Sequence, residues 1–587
     1  MTASSPRPVN DHLVNVSLGL LAVMAALSGL LRLAATIAAW LVGTPRPRAG
    51  MLAGLAAVVD PLHPARALEA PGLNAPLYWT IAVVLLTVVS VPAVWAVMKW
   101  FGRSTRPNIR RIAGTATGGE IAAAASAKQL LRRASTLRPS LPRGSAKPSD
   151  VGYFLGRARG HDVWATVEDS ILLIGPPRSG KGRFVAVNAI LDAPGSCIVT
   201  STRPDNLTIT LEARRKIGPV AVFDPQNLAP GLPSGLRWSP VRGCRDPQVA
   251  MIRAAGLAAS SGFGDVEGGG FWEGKTRAAI QAMLHAAAID GRDARTLYQW
   301  ALSPTAAMDA VRVLQGSAEA AEGWADSLES MATSDPRTRD SIWQGVGLAF
   351  QSLADPRVLD AVCPDEDEAF DPETFIAARG TLYLLATGAG SSSSAALVAA
   401  LIEDIVEVAR RMAARGPGAR LDPPLLMCLD EIGNLAPLPS LPVLMAEGGG
   451  TGITPLPVLQ SLAQAREKWG ENAAQAIWDA SIVKIVLGGG SNTRDLQDLS
   501  ALFGERDEDT DAVTADQYGG RSLQRSIRRV PILPADLIRS LPFGTGAIVL
   551  RSARPIIANL RSWTDRTESR ELQNARAEIE NQIRAAQ

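Results

Sequence analysis

ILLIGPPRSGKGRF, Ile171–Phe184, decides the fold. The apolar run Ile171–Ile174 suits a buried strand, and Phe184–Leu191 has the apolar spacing of a helix. Between them lies GPPRSGKG, Gly175–Gly182. Strand, glycine-rich turn and helix is the context of a phosphate-binding loop: backbone N–H groups of the turn face the phosphates and the helix N-terminus adds positive potential. Gly175, Pro176, Pro177, Arg178, Ser179, Gly180, Lys181, Gly182 and Arg183 are the expected nucleotide-binding residues, with Lys181 reaching the β- and γ-phosphates. Few of the 59 Lys+Arg are Lys, so a lysine where a phosphate needs a point charge carries information.

Far along the chain, LLMCLDE, Leu425–Glu431, is a second apolar run ending in two acids. An acid at the end of such a strand can hold Mg²⁺, here Asp430, and the next can polarise an attacking water, here Glu431. The pair implies nucleoside triphosphate hydrolysis. One position breaks the usual pattern. GxxxxGK is ordinarily followed by Ser or Thr, whose hydroxyl sits on Mg²⁺, and here the residue is Gly182.

With 587 residues, the chain is too long for one compact core. Its formal net charge of +2 says little about partners. Four cysteines, Cys197, Cys244, Cys363 and Cys428, show neither disulfide nor metal spacing and read as buried thiols of a reducing compartment. Leu13–Leu31, continuing to Val42, and Leu77–Trp100 are each long enough to cross a bilayer of about 30 Å. Trp40, Tyr78, Trp79, Trp95 and Trp100 lie near their ends, where aromatic rings favour the interface. Lys99, Arg103, Arg106, Arg110 and Arg111 follow the second run and place the body in the cytoplasm, with the loop 43–76 outside. Arg46, Arg48 and Arg66 in that loop weigh against this orientation.

The expected domains are a membrane anchor with two transmembrane helices (1–101), a basic linker (102–150), an α/β domain in two parts (151–245 and 371–565), an all-helical insertion (246–370) and a polar C-terminal helix (566–587). Short apolar runs recurring between helical segments predict a mostly parallel sheet. They lie at Ile171–Ile174, Cys197–Thr200, Val220–Phe223, Leu382–Leu385, Leu425–Leu429, Ile453–Leu459, Ile482–Leu487 and Ala547–Leu550. The basic linker suits a tether near anionic lipid, or a guide for nucleic acid. Acidic PDEDEAFDPE, Pro364–Glu373, reads as a solvated loop. Gln460 ends the apolar run after the acid pair and is placed to sense a γ-phosphate. A further helix is expected to open near Asn492. Its Arg494 is either a surface residue or a cation offered to a neighbouring subunit's nucleotide.

These residues resemble the type IV coupling proteins of conjugation, the TraG/TraD family. The resemblance rests on GPPRSGKGRF (Gly175–Phe184), DEIGNLAPLPSL (Asp430–Leu441), VLQSLAQ (Val458–Gln464) and the two N-terminal spans. Family members commonly have Gly where this chain has Gly182. The resemblance implies an α/β fold: a RecA-like P-loop NTPase domain with an inserted all-alpha subdomain, preceded by two transmembrane helices. It implies ATP and Mg²⁺ as cofactors, with catalytic roles for Lys181, Glu431 and Gln460 and Asp430 on the metal. It also implies a homo-hexamer at the inner membrane, with DNA and its bound relaxase, type IV secretion channel proteins and membrane lipid as partners. The competing readings are an FtsK-type double-stranded DNA translocase and a non-hydrolysing assembly platform. Some relatives carry an Arg where this chain reads EGGGTGI, Glu447–Ile453. That leaves Arg494 as the candidate trans-acting cation, and the glycines predict a mobile loop.

Overall fold

The computed structural model of the chain describes residues 11–50, 53–101, 109–232, 235–259, 269–386, 394–515 and 521–586. It divides into two units, Met1–Arg106 and Pro107–Gln587. Arg103 and Arg106, two of the five orienting cations, lie outside the described residues.

In the first unit, helices Asp11–Val42 and Ala75–Phe101 pack on each other, with Ala53–Val59 beside the first. Leu20–Val42 and Ala75–Pro92 have mean hydropathies of 2.0 and 1.8 and are long and apolar enough to cross a membrane. Small residues make the contact: Ala34, Ala35, Ala38 and Ala82 are buried with Leu31 and Tyr78, which lets the backbones approach closely. Large apolar residues such as Leu20, Val23, Val84 and Val91 face outward.

Among its described residues the second unit has thirteen strands. In chain order these are β1 Gly152–Ala158, β2 His161–Thr166, β3 Ile171–Ile174, β4 Cys197–Ser201, β5 Val220–Phe223, β6 Thr381–Leu385, β7 Leu425–Asp430, β8 Ile453–Leu459, β9 Val483–Leu487, β10 Glu505–Ala515, β11 Arg521–Pro531, β12 Thr545–Leu550 and β13 Ile556–Leu560. Eleven form one sheet, ordered β2-β1-β13-β12-β9-β3-β8-β7-β4-β6-β5. The seven strands from β9 to β5 are all parallel. β12, β13, β1 and β2 extend the sheet antiparallel. β4, β6 and β8 are buried at every position, so they show no alternation of apolar and polar residues.

All eight runs read from the sequence are strands. The five others had not been expected. β10 and β11 pair over eleven residues each as a separate hairpin. Acids on β10 face bases on β11, as in Asp507 opposite Arg529 and Glu508 opposite Arg528.

Between β5 and β6 the described residues carry helices and no strand. Many of these helices begin on the same device, an Asp or Ser N-cap followed by Pro in the first turn. Asp246-Pro247, Ser303-Pro304, Asp335-Pro336 and Asp355-Pro356 all show it. The side chain accepts from orphan N–H groups and proline's fixed φ presets the helix. The insertion shares one continuous apolar core with a face of the sheet: Ile280, Met283 and Trp300 belong with Leu172, Ile198 and Leu429. Helix Pro247–Ala258 packs on Ala395–Arg415, which lies between β6 and β7. At that contact Arg253, 1% exposed, sits 2.5 Å from Asp404 and stacks on Trp238, whose indole N–H donates to Asp404 at 2.9 Å.

Two expectations change. Described residues of the supposed linker fold instead of tethering. Helices Gly118–Ala125, Ala127–Arg132 and Ala134–Leu137 cover β2 and its surroundings. They are held by ion pairs from Arg133 to Glu168, Arg138 to Asp422 and Arg554 to Glu120. The acidic loop is exposed as expected, with Glu368 paired to Arg237 at 2.6 Å and Asp371 to Arg242. The glycines after Glu447 are close-packing positions: a Cβ on Gly449 would stand 1.9 Å from the Glu168 carbonyl oxygen. The four cysteines are buried free thiols, as expected.

Candidate nucleotide site

β8 lies between β3, which leads into the glycine-rich turn, and β7, which ends in the acid pair. All three strands are parallel, so their C-terminal ends meet at one edge, where open α/β sheets bind ligands. This neighbourhood brings together Lys181, Asp430, Glu431 and Gln460.

The turn is a cradle shaped by its glycines. Gly180 has φ +92°, and a Cβ there would lie 2.6 Å from the Phe184 ring. Gly175 is equally constrained, its added Cβ reaching 2.6 Å from Ser179 Oγ. That hydroxyl is buried without a hydrogen-bond partner. Arg178 adopts φ +64°. Arg183 donates to Ser562 Oγ at 2.9 Å and Thr564 Oγ1 at 3.2 Å.

Lys181, 8% exposed, donates from Nζ to Glu431 Oε1 at 3.3 Å. The other oxygen of Glu431 accepts from Gln460 Nε2 and from Asn434 Nδ2, both at 2.9 Å. Gln464 supports both partners, accepting from the Gln460 N–H at 2.9 Å and donating to Asn434 Oδ1 at 2.8 Å. Glu431 itself has φ +53°, a conformation costing about 1–3 kcal/mol that persists only where surroundings enforce it. Its carboxylate is thus fixed by three donors on a strained backbone.

Asp430 accepts from Asn206 Nδ2 at 3.0 Å, and its carbonyl oxygen accepts from Thr200 Oγ1 at 2.8 Å. Burial, then the neighbouring Glu431 charge, raises its pKa to about 6 against the pull of Lys181 and Asn206.

A cavity of about 860 Å³ joins these groups. The turn residues Pro177, Arg178 and Gly180–Arg183, with Asn206, Asp430 and Glu431, line one part, and Trp563, Gln573, Arg576 and Glu580 line another. The last three belong to the C-terminal helix Ser569–Ala585, read from sequence only as a polar terminus. Asn206, Asn434, Gln464 and Trp563 were likewise not singled out. Of these, Asn434 and Gln464 lie inside the quoted motifs, whereas Asn206 and Trp563 carry no local signal.

Arg494 stands apart. It lies in the first turn of helix Thr493–Phe503, which Asn492 caps as expected, and its exposed side chain pairs with Glu471 at 2.7 Å.

The site suits a nucleoside triphosphate with Mg²⁺. It offers a lysine, a turn that no Cβ could occupy at Gly180, and a recessed carboxylate. Among the described residues no group of three or more His, Cys, Asp or Glu gathers for a metal. A metal here would be held as Mg²⁺ commonly is, by one carboxylate with phosphate oxygens and water.

Comparison with known proteins agrees with this architecture. Residues 424–543, from the entry into β7 to Phe543, match the family model described as the TraM recognition site of TraD and TraG. The bacterial conjugative coupling protein TrwBΔN70, in its unbound monoclinic form, superposes with a TM-score of 0.51 at 18% identity, covering 75% of this chain and 92% of that one. The body therefore has the RecA-like, P-loop fold of that coupling protein. TrwB in complex with ADP and Mg²⁺ gives 0.48 at 18% identity, over 67% of this chain and 85% of that one. VirB4 of Thermoanaerobacter pseudethanolicus gives 0.38 at 13%, over 70% and 97%. No curated protein matches the sequence. The TraG/TraD resemblance thus rests on two separate findings besides the motifs: a matched C-terminal segment and a shared fold.

Proposed function

We propose that this chain is a membrane-anchored coupling ATPase of the TraG/TraD type, which passes a DNA substrate, with its relaxase, to a type IV secretion channel. The observation that carries the reading is the convergence of Lys181, Asp430 and Glu431 on one cavity at the end of parallel strands, with Gln460 bonded to Glu431 behind them. The segment match and the TrwB-like fold supply the biological context, and the two apolar N-terminal helices suit an inner-membrane anchor.

In this reading Lys181 binds the β- and γ-phosphates and the turn's N–H groups cradle them. Asp430 would hold Mg²⁺, which when bound neutralises phosphate charge. Glu431 accepts the proton of the attacking water, and Gln460 orients Glu431 and reports the γ-phosphate. The protein works as a homo-hexamer, and Arg494, free of its own site, reaches the neighbouring subunit's ATP. The anchor meets membrane lipid.

The deciding experiment measures ATP hydrolysis by the purified full chain with and without DNA, for wild type and Glu431→Gln. DNA-stimulated turnover that Glu431→Gln abolishes is expected. Equal activity in both would refute the assignment, and absence of turnover in wild type would favour a non-hydrolysing platform.

A further inference from the structure

Gly182 removes an oxygen that most P-loops place on Mg²⁺, and the fold fills that loss. A Cβ built on Gly182 would meet one atom within 4 Å, Asn206 Oδ1 at 3.5 Å. The space is therefore open, and its nearest boundary is a side-chain oxygen. A serine hydroxyl lies one bond beyond Cβ, so this amide oxygen borders the place such a hydroxyl would occupy.

The orientation of the amide follows from its partners. An ionised carboxylate only accepts, so the NH₂ of Asn206 must face Asp430; it does so at 3.0 Å. Oδ1 then turns toward Gly182. Asn206 is 3% exposed in the first turn of helix Asp205–Arg215, and its backbone carbonyl accepts from Thr210 Oγ1 at 2.6 Å. The side chain is thus held in place, and it lines the same cavity as Lys181 and Asp430. Amide oxygens are hard donors of the kind that divalent cations accept.

We propose that Asn206 supplies, through Oδ1, the Mg²⁺-directed oxygen that Gly182 lacks, while its NH₂ aligns the Asp430 carboxylate. The P-loop hydroxyl has in effect moved to the helix after β4. This rests on the nucleotide–Mg²⁺ reading of the site. It explains how the chain tolerates glycine after Lys181 without an incomplete metal site.

The test is the factor by which Mg²⁺ tightens ADP binding, read with a fluorescent ADP on the full chain, with Mg²⁺ and with EDTA. In Asn206→Ala this factor is expected to fall about tenfold or more, the scale on which partners of metal sites act. Adding Gly182→Ser to Asn206→Ala is expected to restore most of it, because the hydroxyl returns the oxygen by the other route. Asn206→Asp, which keeps an oxygen and adds charge, is expected to raise the factor. A purely structural asparagine would give no rescue by serine, and that result overturns the proposal. So does an unchanged factor in Asn206→Ala, or a reduced one in Asn206→Asp. If wild type binds ADP but Mg²⁺ changes nothing, or binds none, the underlying reading of the site fails instead. Melting temperatures of all variants show whether each is folded.

Discussion

Lys181 Nζ lies 3.3 Å from Glu431 Oε1, so the cation meant for phosphate and the acid meant for water neutralise each other. On the proposed reading, phosphate oxygens would draw Lys181 away when nucleotide arrives, and Glu431 would then accept a proton while Gln460 and Asn434 keep it aligned.

The first prediction follows from that pairing. Glu431→Gln is expected to lower kcat for ATP hydrolysis by about 10²–10⁴-fold, the usual worth of a positioned general base. ADP affinity should change little. Lys181→Ala is expected to lose both nucleotide affinity and turnover. Isothermal titration beside a phosphate-release assay separates the two patterns, and loss of affinity in Glu431→Gln would speak against its role as base.

Asp430 predicts a pH dependence. Its pKa is raised to about 6 by burial and by Glu431. Between the ordinary carboxylate value and 6, the folded chain binds the extra proton, so metal-free stability falls as pH rises through this window. Mg²⁺ requires the carboxylate, so tightening of ADP by Mg²⁺ should weaken about tenfold from pH 7 to pH 5. In Asp430→Asn both trends should vanish. A Mg²⁺ effect independent of pH would contradict the assignment.

Gly180→Ala should disable the turn. Its φ of +92° and the 2.6 Å approach of an added Cβ to Phe184 leave no room. Expected is loss of ADP binding with a lowered melting temperature, whereas Gly182→Ala, whose nearest neighbour would be 3.5 Å away, should stay folded.

Arg253 and Asp404 form a nearly dry pair between insertion and body. Removing one partner strands a buried charge, and Arg253→Ala is expected to destabilise the chain by about 3–5 kcal/mol. The double change Arg253→Met with Asp404→Leu should recover much of that. Chemical denaturation of the three chains would decide it, and a mild Arg253→Ala would show that the pair is solvated.

Arg494 carries a kinetic prediction. Its pair with Glu471 is exposed on both sides and contributes little to stability, so Arg494→Ala should melt like wild type. As a trans-acting cation it should nevertheless slow turnover strongly, by up to about 10³-fold or more. Mixing Arg494→Ala with Glu431→Gln subunits should restore part of the rate; absence of recovery would rule out action across an interface.

What the sequence made legible was local. Ile171–Ile174, Leu425–Asp430 and the Asn492 cap announce themselves because composition and spacing suffice for a buried strand or a helix start. The β1–β2 hairpin also had a local signal, the two-residue turn Arg159-Gly160 with φ +48° and +84°, which suits a tight hairpin. β10 and β11 lack an apolar face, so periodicity could not reveal them. The helices after Ile109 looked like a tether because their anchors, Glu168 and Asp422, are distant in sequence. Asn206 acquires meaning only when the helix after β4 is brought against Gly182, a contact no pattern along the chain encodes.

Because the helical insertion has no core separate from the sheet, it cannot swing freely like a door on a hinge. A pull on it strains the shared packing, and close-packed interiors transmit such strain. The stiffest route is the 21-residue helix Ala395–Arg415. It is clamped to the insertion at Asp404, and at Glu403 it accepts from the N–H of Ser440, nine residues past the strained Glu431. Tension on the insertion would thereby reach the segment that follows Glu431 within the length of one helix.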